Sequence, residues 1–298
     1  MEINNGISPS KVFISGHEKS YAYLIEFLVA RFPSISKEEW LARMSYGLVL
    51  SEEGIPLFQD SPCPLNTHIY YYRRVDREEA IPFEEAILYQ DDHLLIADKP
   101  HFLPVTPGGH YLKETLLVRL KNKTGISELS PIHRIDRETA GLVAFSLKRE
   151  SRGLYQALFR DRKVHKFYEA IAPYVSGLAK QLPMRYKSKI EESDVFIKMH
   201  EVPGEPNSDS FIELIEKKGD WARYSLKLES GKKHQLRLHM SALGIPIKGD
   251  RIYPDLKPHV VFGQNFEEPL QLLAKSLAFV DPLSGLEHQF ISHQKLHL

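Results

Sequence analysis

Apolar residues recur at helical spacing near the start of the chain. Leu24 and Leu28 lie four positions apart, so they share one face of a helix that we predict over about residues 20–30. The sequence Ser36-x-x-Glu39 has the capping-box pattern, which predicts the start of a second helix. The apolar residues of this second helix are Trp40, Leu41 and Met44.

The pattern then changes from helix to strand. Residues 48–50 and 69–72 are short apolar and aromatic runs separated by turn-forming residues, and they predict two strands. The acidic segment 76–79, followed by a proline, predicts a linker. These patterns indicate a small α/β module over residues 1–82 and a larger domain over residues 83–298.

The larger domain contains many strand patterns and few helix patterns. Helices are predicted around residues 114–121 and 149–160. The strands are predicted at residues 86–89, 93–97, 142–145, 164–172, 223–229, 272–280 and 287–292. Because few helices separate these strands, the pattern favours an α+β fold with a mixed, mainly antiparallel sheet over a doubly wound fold.

Composition excludes several classes of protein without identifying one. With 298 residues, 42% of them apolar, the chain can bury a substantial core, and its single cysteine, Cys63, rules out an internal disulfide. The 39 basic and 39 acidic residues balance, so a nucleic-acid surface would depend on where the charges lie. We see neither a signal peptide nor an apolar run that could cross a bilayer, and we expect a soluble cytoplasmic protein without a membrane partner.

Motifs for common cofactors and metals are missing from the sequence. It contains no P-loop, no dinucleotide-binding glycine motif and no zinc-protease motif. His234 and His239 are five positions apart, which is a poor spacing for two metal ligands on one helix. We therefore expect no cofactor and no metal ion.

A charged segment just before a predicted buried strand carries the strongest chemical signal. It reads His133-Arg134-Ile135-Asp136-Arg137 and places a carboxylate between two arginines. Flanking cations favour the ionised carboxylate that a nucleophile requires. A surface cluster of ion pairs has the same composition, so these residues alone leave both interpretations open.

Several segments resemble one enzyme family in the order of its motifs. Residues 133–141 resemble the H-R-L-D-R-x-T-S-G motif of the RluA-type pseudouridine synthases. Residues 98–105, 166–170 and 231–239 resemble this family's K-P-x-G-(x)-x-V, K-x-Y-x-A and T-G-R-T-H-Q-I-R-x-H motifs, and residues 273–282 resemble its closing strand. The resemblance implies the pseudouridine synthase fold and an enzyme that isomerises uridine in structured RNA.

The resemblance also implies roles for individual residues. Asp136 falls on the catalytic carboxylate, Tyr168 on the tyrosine that removes the proton from C5 of the uracil, and Arg237 on the arginine that pairs with the carboxylate. Arg134 falls on the arginine that enters the RNA in place of the flipped base. Extruding a base costs a few kcal/mol, and a side chain that fills the vacated position offsets part of that cost.

The same segments supply polar side chains that we expect to contact RNA. On the predicted strand, Lys166 and Tyr168 share one face, whereas Phe167 and Ile171 are predicted to point into the core. If the basic stretch 160–166 lines the same cleft, a neutral chain still presents a positive groove. The expected RNA-binding residues are His133, Arg134, Arg137, Thr139, Lys166, Lys232, Lys233, His234 and Gln235.

The last motif predicts a helix over about residues 233–243, ended by Gly244. His234 and Arg237 are three apart and share one face of it. Its apolar stripe consists of Leu236, Met240 and Leu243.

The departures from the family pattern concern RNA fit more than catalysis. Lys232 and Lys233 replace an arginine and a threonine, and His101 and Phe102 stand where small residues are usual. The segment 175–220 is longer than a minimal family member needs. Its basic residues either touch RNA or form a solvated strand face: Arg185, Lys187 and Lys189.

Several alternatives stay open at this point. The N-terminal module resembles, by pattern only, an RNA-binding module that often precedes the catalytic domain, or it is a cap without RNA contact. A non-catalytic RNA-binding or ribosome-assembly factor could use the same fold. A glycoside-cleaving hydrolase would need a second carboxylate, such as Glu138 or Asp250, about 5–9 Å from Asp136. For the enzyme, we expect a monomer acting on tRNA, large-subunit ribosomal RNA, or both.

Overall fold

Two compact units make up the chain. The computed structural model describes residues 6–16, 21–75, 78–195, 197–257 and 266–298. The first unit comprises residues 1–80 with 107–127, and the second comprises residues 81–106 with 128–298. The sequence prediction placed all of residues 83–298 in one domain, whereas the structure groups residues 107–127 with the N-terminal unit.

In its described residues, the first unit contains a three-stranded antiparallel sheet of order β1-β3-β2 and three helices. Its elements are β1 (Ser10–Ile14), α1 (Leu24–Arg31), α2 (Lys37–Ser45), β2 (Val49–Leu50), β3 (Thr67–Tyr71) and α3 (Leu116–Thr124). Both predicted N-terminal helices are confirmed, and Leu24 and Leu28 are fully buried. Helix α1 starts later than predicted, at Leu24. At this end the Glu26 carboxylate accepts a hydrogen bond from the Tyr23 N–H. The predicted start at about residue 20 lies outside the described residues. Strand β1 was not predicted.

Helix α3 joins the first unit through polar contacts as well as packing. The Glu78 carboxylate accepts hydrogen bonds from the backbone N–H groups of residues 112–114, at 2.7–3.0 Å. Lys121 on the helix donates to the Ser8 hydroxyl at 3.1 Å. The predicted linker therefore contains a residue that fixes structure, and its residues 76–77 lie outside the described part of the chain.

The second unit is an α+β domain whose described residues form a mixed, mainly antiparallel sheet of eleven strands, which confirms the predicted fold class. The sheet order is β10-β9-β11-β12-β8-β13-β7-β5-β4, with β6 paired to β7 and β14 to β13; only the short β7–β13 pair is parallel among the described pairs. The elements are β4 (Ala86–Gln90), β5 (Leu94–Lys99), β6 (Ser130–Pro131), β7 (Ala140–Ser146), α4 (Arg149–Arg160), β8 (His165–Pro173), α5 (Ser176–Ala179), β9 (Met184–Glu192), β10 (Met199–Val202), β11 (Ser208–Lys218), β12 (Trp221–Leu228), α6 (Gln235–Ala242), β13 (Leu272–Val280) and β14 (Glu287–Ile291).

Strands β9, β10 and β11 lie in the segment 175–220, where the sequence offered only a solvated strand face at Arg185, Lys187 and Lys189 as one alternative, and β9 carries these three residues. The inward positions of β9 and β11 include Ser188, Ser208 and Ser210, and the latter two are buried. Because serines occupy positions where a half-buried strand usually carries apolar residues, the sequence shows little apolar alternation there.

Phe167 is not buried in the core as predicted, although it lies on the predicted face of its strand. Strand β8 lies between β12 and β13, and Lys166 and Tyr168 line one cavity as expected. On the opposite face, Ile171 is buried against Leu273 and Leu296, but 37% of Phe167 is exposed. The C-terminal segment covers this face at Ile171 and leaves it open at Phe167.

Helix α6 packs against the sheet through its predicted apolar stripe. Leu236 and Met240 are buried in the same cluster as Tyr168 and Leu226, and Leu243 packs against that cluster. Gly244 follows with a φ of 75°, the left-handed conformation of a helix stop. This packing brings the N-terminal end of α6 to strand β8.

Candidate active site

One cavity of the second unit contains every residue for which the sequence predicted a role. Its volume is about 900 Å³, and all twelve of the predicted catalytic and RNA-binding residues line it. Its acidic lining residues are Asp136 and Glu229. Its basic lining residues are Arg134, Arg137, Arg160, Arg162, Lys166, Lys227, Lys232, Lys233 and Arg237. The balanced chain thus presents a strongly positive groove, as the sequence suggested.

Asp136 lies in the loop between β6 and β7 and faces two residues of the last motif. The Arg237 Nη1 atom is 3.5 Å from the Asp136 Oδ2 atom, and the His234 Nε2 atom is 3.9 Å from the same oxygen. The side chain of Asp136 is 27% exposed, so it is accessible from the cavity. The structure therefore brings together residues that are about one hundred positions apart in sequence.

Arg237 is fixed by a second carboxylate. Its Nε and Nη2 atoms donate to Asp250 at 2.8 and 2.7 Å, and Asp250 also accepts from the backbone N–H groups of Ile252 and Tyr253. Burial alone lowers the pKa of Arg237, but the hydrogen bonds and charge of Asp250, with a contribution from Asp136, raise that pKa overall. Arg237 is therefore a permanent cation with one nitrogen, Nη1, turned to Asp136.

His234 stands at the start of α6 in the left-handed conformation, with a φ of 56°. Its Nδ1 atom lies 3.2 Å from the Tyr253 hydroxyl. Burial lowers the pKa of His234, with Arg237 acting in the same direction and Asp136 opposing it. At neutral pH the imidazole is therefore neutral, and Arg237 is the cation that faces Asp136.

Tyr168 and Lys166 enter the cavity from strand β8. Burial, and then the charge of Asp136, raise the pKa of Tyr168, so its phenol is protonated at neutral pH. Burial and the neighbouring Arg162 lower the pKa of Lys166, while Glu229 opposes this. The floor of the cavity thus combines a carboxylate, an arginine and a buried phenol.

Two of the expected RNA-contacting residues are engaged within the protein. His133 accepts a hydrogen bond at Nε2 from the Ala144 N–H, at 3.1 Å, and its ring stacks on Phe159 at 4.5 Å. Thr139 is 2% exposed, which leaves little of its side chain accessible to RNA, and its backbone N–H donates to the Asp136 carbonyl. These contacts favour positioning roles in the catalytic loop.

Gln235 is the third such residue, and all of its amide capacity is used. Its Oε1 atom accepts from the Ser230 hydroxyl and the Lys232 N–H, at 2.8 and 3.1 Å. Its Nε2 atom donates to the Asp209 carbonyl and the Ser210 hydroxyl, at 3.0 and 2.9 Å. Gln235 therefore fixes the turn that leads into α6.

The remaining expected RNA-binding residues present their charges towards solvent or the cavity. Arg134, Lys232 and Lys233 are exposed. Arg137 forms an ion pair with Glu138.

The basic residues of β9 are not among the residues that line the cavity. They form ion pairs on the sheet surface: Arg185 and Lys187 with Asp209, and Lys189 with Glu191.

Residues of the 98–105 segment contact the β6–β7 loop, which carries Asp136. Lys99 is fully buried and donates from Nζ to the carbonyls of Pro100 and Arg137, at 2.9 and 3.0 Å. The His101 ring lies 2.8 Å from the Glu138 carbonyl. Burial lowers the pKa of Lys99 to about 7, although Glu138 and Asp136 oppose this. No role was predicted for Lys99 from the sequence, because its contact with the Arg137 carbonyl depends on how the loop that carries Asp136 packs.

Two further observations bound what the chain can hold. Within the ranges that the structure describes, no group of three or more His, Cys, Asp or Glu side chains is arranged to hold a metal ion. In the same ranges, every helix is too short or too polar to span a lipid bilayer.

Comparison with known proteins gives one consistent result. Residues 93–242 match the family described as RNA pseudouridylate synthase. The dual-specificity RNA pseudouridine synthase RluA of Haemophilus influenzae is 32% identical over 67% of this chain and 88% of its own. The ribosomal large subunit pseudouridine synthase D of Pseudomonas aeruginosa is 31% identical over 70% and 68%, respectively. The solved structure of human RNA pseudouridylate synthase domain containing 4 is 26% identical over 71% and 88%, with a TM-score of 0.54.

Proposed function

Since this chain belongs to the RNA pseudouridylate synthase family and is a pseudouridine synthase, we propose that it isomerises uridine at defined positions of structured RNA with Asp136 as nucleophile. The observation that carries this proposal is the arrangement around Asp136. An accessible carboxylate lies 3.5 Å from a permanent cation, in a cavity that also holds Tyr168 and a surplus of basic side chains. Because this family consists of enzymes, the alternative of a non-catalytic RNA-binding factor is less favoured.

The reaction exchanges one bond of the nucleoside for another. The bond from N1 of the uracil to C1′ of the sugar breaks, a bond from C5 to C1′ forms, and the hydrogen at C5 leaves while N1 gains a proton. A nucleophilic carboxylate forms a temporary covalent bond to the nucleoside and divides this exchange into two steps. Arg237 holds Asp136 in place by Coulomb attraction, and Asp250 holds Arg237.

The pKa of Tyr168 indicates the order in which these steps occur. The charge of Asp136 is one of two causes that raise the pKa of the Tyr168 phenol. When Asp136 forms its covalent bond, that charge is lost and the phenol becomes easier to deprotonate, so it can give its proton to N1 of the released uracil and become the phenolate that accepts the proton from C5. We therefore place proton removal from C5 by Tyr168 after the covalent step.

RNA binding and base flipping are assigned to the rim of the cavity. Arg134 is exposed, borders the cavity and precedes Asp136 by two residues. It is placed to occupy the position that a flipped uridine vacates, while Lys232 and Lys233 bind phosphates. We propose tRNA, large-subunit ribosomal RNA or both as the substrate, with the enzyme acting as a cytoplasmic monomer.

The two candidate partner carboxylates, Asp250 and Glu138, do not support the hypothesis that the chain is a glycoside-cleaving hydrolase. Asp250 is 6% exposed, accepts hydrogen bonds from Arg237 and two backbone N–H groups, and is not among the cavity-lining residues. Glu138 is engaged by Arg137. Neither is free to act as the general acid that such a reaction requires.

The test is release of tritium from RNA labelled at uridine C5 and taken from cells that lack this protein. We expect release by the wild-type protein and none by Asp136→Asn. The matched control is Asp220→Asn, the same chemical change at an exposed turn outside the cavity; it should release tritium at the wild-type rate. Binding of RNA by wild type and mutant without any release would overturn the proposal for these RNAs.

A further inference from the structure

The C-terminal end of α4 has the hydrogen bonds of a glycine-type helix stop but carries an arginine. The Arg162 N–H donates to the Phe159 carbonyl at 3.3 Å, and the Lys163 N–H donates to the Leu158 carbonyl at 2.8 Å. This is the Schellman pattern, in which the residue at position 162 is usually glycine. Arg162 has a φ of 57°, a left-handed conformation that strains residues with a side chain.

Strain of this kind at the edge of a cavity motivates a search for a function of the side chain. Arg162 is exposed and lines the cavity. Its guanidinium makes no hydrogen bond or ion pair with any residue in the described part of the chain. Burial and the positive charge of Arg162 both lower the pKa of Lys166, because the two cations repel each other. An anion bound between Arg162 and Lys166 would relieve this repulsion.

Phe159 supplies an aromatic ring at the same place. It is partly exposed and lines the cavity three residues before Arg162. The His133 ring covers one of its faces at 4.5 Å and an interplanar angle of 18°. The ring also packs against the buried cluster that contains Tyr155 and Leu158, so a planar group would stack on the part of the ring that lines the cavity.

We infer that Phe159 and Arg162 form a second nucleotide subsite, in which the base of a nucleotide near the target uridine stacks on Phe159 and its phosphate binds Arg162. An aromatic face beside a cation is the combination that single-stranded RNA recognition uses, because every base has a π-face and every nucleotide a phosphate. The inference rests on the proposed function in that it requires RNA in this cavity.

The stacking half is tested by comparing two probes, a uridine octanucleotide and an abasic phosphodiester of the same length. We expect wild type to bind the octanucleotide at least fivefold more tightly than the abasic probe. Phe159→Leu keeps an apolar side chain but removes the ring, and should weaken octanucleotide binding about tenfold while leaving abasic binding unchanged. Phe159→Trp should restore the preference.

The matched control for this half is Phe167→Leu. It makes the same change at an exposed phenylalanine of β8 that is not among the cavity-lining residues, and it should bind like wild type. Stacking is overturned if wild type binds both probes equally, or if Phe159→Leu weakens both to the same extent.

The phosphate half is tested with Arg162→Gly, which relieves the backbone strain, so that any loss of binding is not a loss of folding. It should weaken binding of both probes by the same factor and reduce the slope of log K against log salt by about 0.7. Lys163→Ala removes a neighbouring exposed charge that is not among the lining residues, and should leave this slope unchanged. An unchanged slope in Arg162→Gly overturns the phosphate contact.

The results that would overturn the subsite differ from those that would overturn the proposed function. If wild type releases no tritium from labelled RNA, the proposed reaction fails on those RNAs whatever the binding data show. If wild type releases tritium but Phe159→Leu retains the full preference for bases, the reaction stands and the subsite is wrong.

Discussion

Asp250 holds Arg237 through two parallel hydrogen bonds, Nε to Oδ2 at 2.8 Å and Nη2 to Oδ1 at 2.7 Å, and both side chains are almost completely buried. This geometry uses two of the three guanidinium nitrogens and leaves Nη1 directed at Asp136. Asp250 is thus a positioning residue whose effect on the reaction passes through Arg237.

Asp250→Asn should lower both stability and kcat. Removing one charge from a buried ion pair leaves the other uncompensated, which costs about 3–5 kcal/mol in the free energy of unfolding. The freed guanidinium should also lose its fixed orientation towards Asp136, and we expect kcat to fall at least tenfold. Urea unfolding and tritium release measure these effects. Glu216→Gln, which changes the exposed partner of Arg223, is the control and should alter neither by much.

Tyr168→Phe should separate chemistry from stability. The change keeps the ring in its buried cluster and removes the group assigned to proton removal, so we expect kcat to fall about 100-fold or more, with little change in the free energy of unfolding. Tyr224→Phe is the reverse case: its hydroxyl donates to the Pro173 carbonyl, and its loss should cost about 1 kcal/mol of stability with kcat unchanged. Equal kcat values in Tyr168→Phe and wild type would remove Tyr168 from the mechanism.

The buried amine of Lys99 should make stability rise with pH above neutrality. Its pKa is lowered to about 7 in the folded protein and is about 10.4 in the unfolded chain. Between these values the unfolded state binds more protons, so this group makes the free energy of unfolding increase with pH. Below pH 7 both states are protonated and the contribution becomes constant.

Urea unfolding at several pH values between 7 and 10 measures this dependence. The difference in stability between wild type and Lys99→Met should grow in favour of wild type as pH rises. Lys163→Met, at an exposed lysine, provides the comparison and should show a constant difference. A constant difference for Lys99→Met as well would mean that Lys99 is charged in the folded protein.

Arg162→Gly should raise stability. The left-handed conformation of Arg162 costs a residue with a side chain about 1 kcal/mol relative to glycine, and we expect the free energy of unfolding to increase by about this amount. Arg160→Gly, two residues earlier at the last residue of helix α4, should instead lower stability by up to about 1 kcal/mol, because glycine is unfavourable in helices. Equal effects of the two changes would contradict the helix-stop assignment.

The sequence determined elements whose signal is local. Helix α4 and strand β13 have the predicted bounds, and α6 presents the predicted apolar stripe. Periodicity is sufficient there, because a helix or strand with one apolar face repeats that face within a few residues. Together with the family resemblance, these local patterns identified twelve of the residues that line the cavity.

Tertiary structure decided everything that depends on contacts between distant residues. The pairing of Arg237 with Asp250, the inward serines of β9 and β11, and the membership of α3 in the first unit have no periodic signal. Each results from a polar group finding its partner in another segment, as Glu78 does at residues 112–114. Buried polar groups require such partners, but the sequence does not specify which segment supplies them. Packing makes that choice when it brings the segments together.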